Sequence, residues 1–297
     1  MSALIPRIEP VVFNRPSSLA LSVIVALPVL GPALGRLLHA LREARITLPY
    51  EVVVVVACED GAALASVRAE FPLVLLYRAQ PGTELGALYD LGVRAAGGRH
   101  LLLMDGTVVP SAATITELHR FAEGGQFIGA VVPRYLRLDG SDAPSTRAFP
   151  APLAALLGAL QPAARLQYAF NRLVTTPREV DAAEGGCVLV RRAAVLDVGG
   201  LAAGYPPGGE VWDWCKRARM KGWAIFLHPG THVSLTQPSD PEAGLEVRGS
   251  IRRFVYRFHG WLLAAPIALL MLPTDVRDRH RRRRRARLAR ISLQAKA

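Results

Sequence analysis

The chain has 297 residues, enough for one large or two small domains with an ample core. Apolar residues make up 51% and charged residues 20%, which excludes a predominantly disordered chain. The net charge of +12 is unevenly placed: residues 277–290 hold nine Arg and one Asp, about +8 of the total, so the high pI describes a tail and not the body of the protein. Mean hydropathy is +0.24, high for a freely soluble protein, which leaves room for a membrane contact. Cys58, Cys187 and Cys215 share no metal-type spacing and read as free thiols in a reducing cytosol. Residues 1–18 lack the apolar core of a signal peptide, and no apolar run reaches about 20 residues. The expectation is a cytoplasmic protein without an ordinary transmembrane helix.

Residues 1–18 read as a flexible or surface-laid lead-in. Leu19–Leu27 is a continuous apolar run closed by Pro28, which suits a strand buried on both faces. Leu34, Leu37, Leu38 and Leu41 then recur at helical spacing within residues 32–44. Val52–Val56 is five valines in succession and predicts a second buried strand. Glu59-Asp60-Gly61 makes a turn, and a short helix precedes a third strand at Leu73–Tyr77. A helix over 84–96 ends at Gly97-Gly98, and a fourth strand, Leu101–Met104, carries Asp105 at its end. A helix over 111–123, capped by Ser111, leads to a fifth strand, Phe127–Val132. Strands alternating with helices at this spacing predict a mainly parallel sheet flanked by helices. Ligands bind such sheets outside the carboxyl ends of the strands, so Pro28, Asp60 and Asp105 fall on one rim.

Residues 136–183 break the pattern and read as a variable insertion with a helix near 151–160. A short strand, Cys187–Val190, then runs into Arg191 and Arg192, and a helical turn ends at Gly199-Gly200. An amphipathic segment carries Glu210 and Asp213; a strand, Ala224–Leu227, and His232 follow. Val247–Leu272 reads as one or two helices broken at Pro266, ahead of the Arg-rich tail.

The ordered set Arg191-Arg192, Gly199-Gly200, Glu210-x-x-Asp213, Arg217, Gly222-Trp223 and His232 resembles the second half of an inverting family 2 glycosyltransferase. The first half resembles the nucleotide-sugar half of the same family through Ser22–Pro28, Asp60-Gly61, the run Tyr89–His100 with Asp90 in place of an Asn, and Met104-Asp105-Gly106-Thr107. Three acids usual in that family are replaced, by Val55, Thr107 and Val211. The resemblance covers about residues 20–260 and implies a GT-A-like α/β fold. It divides the chain into a glycosyltransferase-like domain at 19–245 (a nucleotide-sugar half at 19–135, an acceptor half at 136–245) and a C-terminal helical and basic appendage at 246–297.

The implied reaction moves a sugar from a nucleotide-diphosphate sugar to an envelope glycan or lipid-linked acceptor with inversion. It calls for a divalent cation, Mg²⁺ or Mn²⁺, against the departing diphosphate and for a base at the acceptor hydroxyl. By the same resemblance Asp105 and His232 are the metal candidates. Pro28, Asp60, Asp90 and Asp105 are the donor-binding candidates. Glu210 and Asp213 are the catalytic acids nearest the position that Val211 occupies.

Each residue has a plainer alternative. Asp60 and Asp90 suit turns and helix starts, Glu210 suits a helix cap, and Asp213 suits a pair with Lys216 or Arg217. Trp212 and Trp214 either pack or stack on a sugar. Arg191 and Arg192 either meet phosphate or lie solvated, and His232 is either a ligand or structural. The three lost acids also fit a second function, a degenerate binding subunit at the membrane surface. Trp261–Leu272 followed by the Arg run is a two-signal arrangement for an anionic membrane surface, which points to the inner face of the membrane. Nothing in the chain interleaves aromatics with base in the manner of a nucleic-acid binder.

Overall fold

The computed structural model describes residues 19–150, 174–201, 204–206, 208–236, 243–267 and 269. The helix expected near 151–160, the lead-in at 1–18 and the Arg-rich tail lie outside the described residues. The described residues form two compact units: the first ends near Pro238, and the second contains the helix Ala243–His259.

The first unit is built on one large sheet. Its four leading strands are β1 (Leu21–Leu27), β2 (Tyr50–Ala57), β3 (Leu75–Ala79) and β4 (His100–Met104). They lie parallel in the order β3-β2-β1-β4. Every residue of β1 and β4 is buried, which is why both read as unbroken apolar runs and not as alternating ones. Helix α1 (Pro32–Glu43) starts on Pro32 and buries Leu34, Leu37, Leu38 and Leu41, the stripe expected from the sequence. Helix α2 (Gly61–Glu70) follows β2, and α3 (Leu85–Ala95) packs on β1 and β2. Gly92 permits that close approach, since a Cβ there would lie 2.3 Å from the Ile24 Cγ2 methyl.

Beyond β4 the sheet continues with β11 (Cys187–Arg191), β6 (Ile128–Leu136), β12 (Ala224–Leu235) and β5 (Val108–Pro110). β11 runs antiparallel to β4 with Cys187 opposite Met104, so the segment entering β11 meets the strand end that carries Asp105. β6 and β12 are parallel to each other. Helix α4 (Ala112–Glu123) is capped by Ser111, whose side chain accepts the Thr114 N–H.

Short strands β7 (Asp142–Ala143), β8 (Thr146–Arg147), β9 (Arg178–Glu179) and β10 (Ala182–Ala183) organise the ends of the insertion. Helix α5 (Arg192–Val198) ends at Gly199, and α6 (Gly209–Met220) leads into β12. The architecture is the mainly parallel α/β sheet flanked by helices that the sequence predicts.

Several boundaries differ from expectation; β6, for example, runs on from Val132 to Leu136. β3 begins two residues late, because Leu73 is turned to solvent at 73% exposure and pairing starts at Leu75 with Val53. β12 runs past Leu227 to Leu235, through an irregularity between His228 and His232, and so takes His232 into the sheet. In the second unit the break falls at Gly260 and not at Pro266. Helix α7 (Ala243–His259) ends where Gly260 adopts φ 79°, and the next helical stretch, 261–267, passes through Pro266. No helix among the described residues is long and apolar enough to cross a membrane.

Candidate active site

The carboxyl ends of β1, β2 and β4 put Pro28, Asp60 and Asp105 on one rim. Asp105 is half-buried just beyond β4. Its Oδ1 accepts the Thr107 N–H at 2.9 Å and the Thr107 hydroxyl at 2.6 Å, across a turn in which Gly106 takes φ 81°. Thr107, at the position of the family's second acid, therefore supplies no charge and orients Asp105 instead. Burial pushes the Asp105 carboxyl up, against the pull of those two donors.

The segment entering β11 closes on this corner. Gly186 adopts φ 110°, and a Cβ there would sit 3.1 Å from Thr107 Oγ1 and 3.3 Å from the Tyr135 hydroxyl. At Gly185 a Cβ would lie 3.5 Å from the Gly208 Cα and 3.9 Å from Asp105 Oδ2. Two glycines thus bring the entry to β11 against Asp105 and against the start of α6. Tyr135 fixes the segment: its hydroxyl accepts the Cys187 N–H at 2.8 Å and lies 2.9 Å from the Gly185 carbonyl.

Glu210 lies in the first turn of α6 and is 1% exposed. Its Oε1 accepts the Gly208 N–H at 3.1 Å, while Oε2 is buried without a hydrogen-bond partner. Burial is the main cause that raises its pKa from the 4.5 of a free glutamate to about 7, and the charges of Asp105 and Glu184 push the same way. Tyr89 belongs to the same cluster. It is 1% exposed, and burial, then Asp105 and Glu210, hold its phenol well above the ordinary tyrosine range.

Glu184 forms the outer edge. One oxygen pairs with Arg147 at 2.5 Å; the other accepts the Trp212 indole N–H at 3.2 Å, and the Arg147 guanidinium lies 4.7 Å from the Trp212 ring. The corner therefore holds an anionic, oxygen-rich group of side chains with one carboxylate oxygen unpartnered. Such a donor set suits a hard divalent cation of the Mg²⁺ or Mn²⁺ type, with Asp105 as its anchor.

Several other candidates take structural roles. Asp213 is 0% exposed and fully engaged: the Tyr205 hydroxyl donates to Oδ1 at 3.2 Å and Arg217 Nε to Oδ2 at 2.7 Å. Arg217 in turn holds the carbonyls of Val198 and Gly200, so Asp213 anchors the loop after α5. Asp90 accepts the Leu201 N–H at 2.8 Å and ties α3 to that same loop. Burial raises its pKa, offset by this bond and by Arg94 and Arg217. Asp60 caps α2 by accepting the Ala63 N–H at 3.0 Å.

Trp212 and Trp214 are each 2% exposed and pack, so neither presents a stacking face to a sugar. Arg191 donates to the carbonyls of Ile128, Ala122 and Gly125, and Arg192 to that of Gly98. Both are half-buried fasteners between elements. His232 is exposed on β12, opposite Arg134. The strand pleat puts it on the sheet face away from Val233 and Tyr135.

Tyr89 and Glu184 are the site residues that the sequence reading passed over. Tyr89 stands next to Asp90 in the motif, and the helix turns the tyrosine, not the aspartate, towards the acids.

A rim of strand ends carrying Asp105, with the buried Glu210 beside it, is the setting in which the family resemblance is decided. The family described as "Glycosyltransferase like family 2" matches residues 19–249, and the chain belongs to it. Its reaction class is glycosyl transfer from a nucleotide sugar. Among solved structures, the chain is similar to the mannosyltransferase PcManGT from Pyrobaculum calidifontis, in complex with GDP-Man and Mn²⁺. That match has 15% identity over 94% of this chain and 81% of that one, at a TM-score of 0.57. S. aureus TarS, residues 1–349, matches at 16% identity over 84% and 71% of the two chains, with a TM-score of 0.50. A mycobacterial protein matches at 16% identity over 80% and 74%, with a TM-score of 0.53. At these identities the likeness concerns the fold. No curated protein sequence matches significantly.

Proposed function

We propose that this glycosyltransferase inverts the configuration of the sugar it transfers and that Glu210 is its base. The observation that carries this is the buried, unpartnered Glu210 Oε2 beside Asp105, with a pKa of about 7. A base is most effective when it titrates near the working pH. Glu210 Oε2 takes the proton of the acceptor hydroxyl as that oxygen attacks the anomeric carbon from the face opposite the diphosphate. The bond to the diphosphate breaks, its electron pair leaves with the diphosphate, and the configuration inverts.

Asp105 would hold the divalent cation, Mg²⁺ or Mn²⁺, with Thr107 orienting its carboxylate. When bound, that cation neutralises the charge gathering on the diphosphate. The presence of Mn²⁺ and GDP-Man in the PcManGT structure supports this reading. Pro28 and Asp60, at the start of α2, line the donor's side of the rim, while Asp90 and Asp213, the latter through Arg217, tie down the backbone from Val198 to Leu201. Val211 is 3% exposed and packs inward, so the acid usual at that position is replaced by its neighbour on the same turn.

The acceptor is an envelope glycan or lipid-linked sugar at a membrane surface on the cytoplasmic side. Exposed Trp261, Leu262 and Leu269 in the second unit, ahead of the Arg-rich tail, support a peripheral membrane contact. Turnover of a panel of nucleotide sugars with Mn²⁺, by parent and Glu210→Gln, tests the assignment. Retained transfer in the variant contradicts it, and donor binding without transfer or hydrolysis in the parent favours a binding subunit.

A further inference from the structure

A second set of ligand-type side chains lies at the other end of β4. His100 opens that strand, while Asp105 follows its last residue, five positions and about 16 Å away at 3.3 Å per residue. Facing His100 are His119 and Glu123, one turn apart near the end of α4. His100 Nδ1 lies 3.4 Å and His119 Nε2 3.7 Å from Glu123 Oε1, and the three donor atoms all fall within 4.8 Å of one another.

Neither imidazole is hydrogen-bonded at these positions. His100 is 1% exposed with both ring nitrogens unpartnered, and His119 Nε2 is buried without a partner. A buried ring nitrogen without a partner forfeits its hydration with no return. Glu123, with 36% of its side chain exposed, leaves a way in from solvent.

We propose that His100, His119 and Glu123 form a zinc site distinct from the cation site at Asp105. Two imidazoles and one carboxylate suit Zn²⁺ and leave a fourth position for water. Bonds of about 2.0–2.1 Å in a tetrahedron place ligand atoms about 3.3 Å apart. Two of the three separations are already near that value; the third, between the two imidazole nitrogens, is at most 4.8 Å and closes by rotation of the rings.

The opposing charges are Arg99, 3.5 Å from Glu123 Oε1, and Arg191. Arg99 is mostly exposed and screened by solvent, and Arg191 is held by three backbone carbonyls. Bound there, zinc would clamp the start of β4 to the end of α4. The clamp lies about 16 Å along β4 from Asp105, outside the sugar-transfer corner.

The test is zinc and Co²⁺ titration of the full chain, read by metal content after dialysis and by the visible absorption of tetrahedral cobalt. One zinc per chain is expected. Glu123→Gln and His119→Gln should each weaken zinc by at least about 100-fold and abolish the cobalt spectrum, a larger loss than the 10–100-fold typical of outer-shell changes. Asp105→Asn and Cys58→Ser should leave both readouts unchanged. Zinc binding that survives both ligand substitutions, or that disappears with Asp105→Asn or Cys58→Ser, overturns the proposal. So does a parent chain that retains no zinc.

Discussion

Replacing Glu210 by Gln should make the protein more stable, and the gain should depend on pH. The carboxyl titrates at about 7 in the fold against 4.5 when free. Between these values the folded chain holds a proton that the unfolded chain has lost, so stability falls as pH rises through 4.5 towards 7. Above 7 the buried carboxylate carries its full penalty. A difference of 2.5 pH units at about 1.4 kcal/mol each gives about 3 kcal/mol. The residue is 1% exposed, so solvent screening removes little of this.

Gln keeps an oxygen for the Gly208 N–H and presents a neutral amide towards Asp105. The assay is urea unfolding of parent and variant in EDTA at pH 4.5 and pH 8, with no cation to offset the charge. The variant should exceed the parent by about 3 kcal/mol at pH 8 and match it at pH 4.5. A variant less stable than the parent at pH 8, or one with the same difference at both pH values, refutes the reasoning.

The same ionisation should govern turnover: kcat/KM should fall about tenfold per pH unit below about 7, and a profile flat down to pH 6 contradicts a Glu210 base. Asp213→Asn should act on stability. It leaves Arg217 without its buried counter-charge and should cost about 3 kcal/mol in urea unfolding, while the folded variant keeps kcat within about tenfold of the parent. The full chain should sediment with anionic vesicles at low salt, and removal of residues 277–297 should weaken this, each lost Arg contributing roughly 1 kcal/mol near the surface. Equal binding before and after truncation excludes the tail.

The sheet was legible wherever burial on both faces writes an unbroken apolar run. β1, β2 and β4 are such strands, and Asp105 directly follows the last residue of β4. β5 and the two-residue strands β7 to β10 were not legible, because so short a segment is a strand only by virtue of its neighbour. β12 was read too short, since Pro229 and Gly230 look like a terminus and only pairing with β6 carries the strand past them.

The site was half legible. Glu210 and Asp213 are both acids on one helix, and spacing alone cannot say which one turns towards Asp105 and which one meets Arg217. The turn of α3 likewise gave Asp90 to a loop and Tyr89 to the site. His100, His119 and Glu123 are each unremarkable in sequence, and only the packing of α4 beside β4 brings them together.

The most direct test of Glu210 as the base is initial-rate sugar transfer by parent and Glu210→Gln across a panel of nucleotide sugars with Mn²⁺. Nucleotide affinity is measured on the same preparations. The account predicts that the parent transfers at least one sugar, and that the variant binds nucleotide equally but transfers at least about 100-fold more slowly, within the range a general base contributes. A variant that transfers sugar at the parent's rate contradicts it.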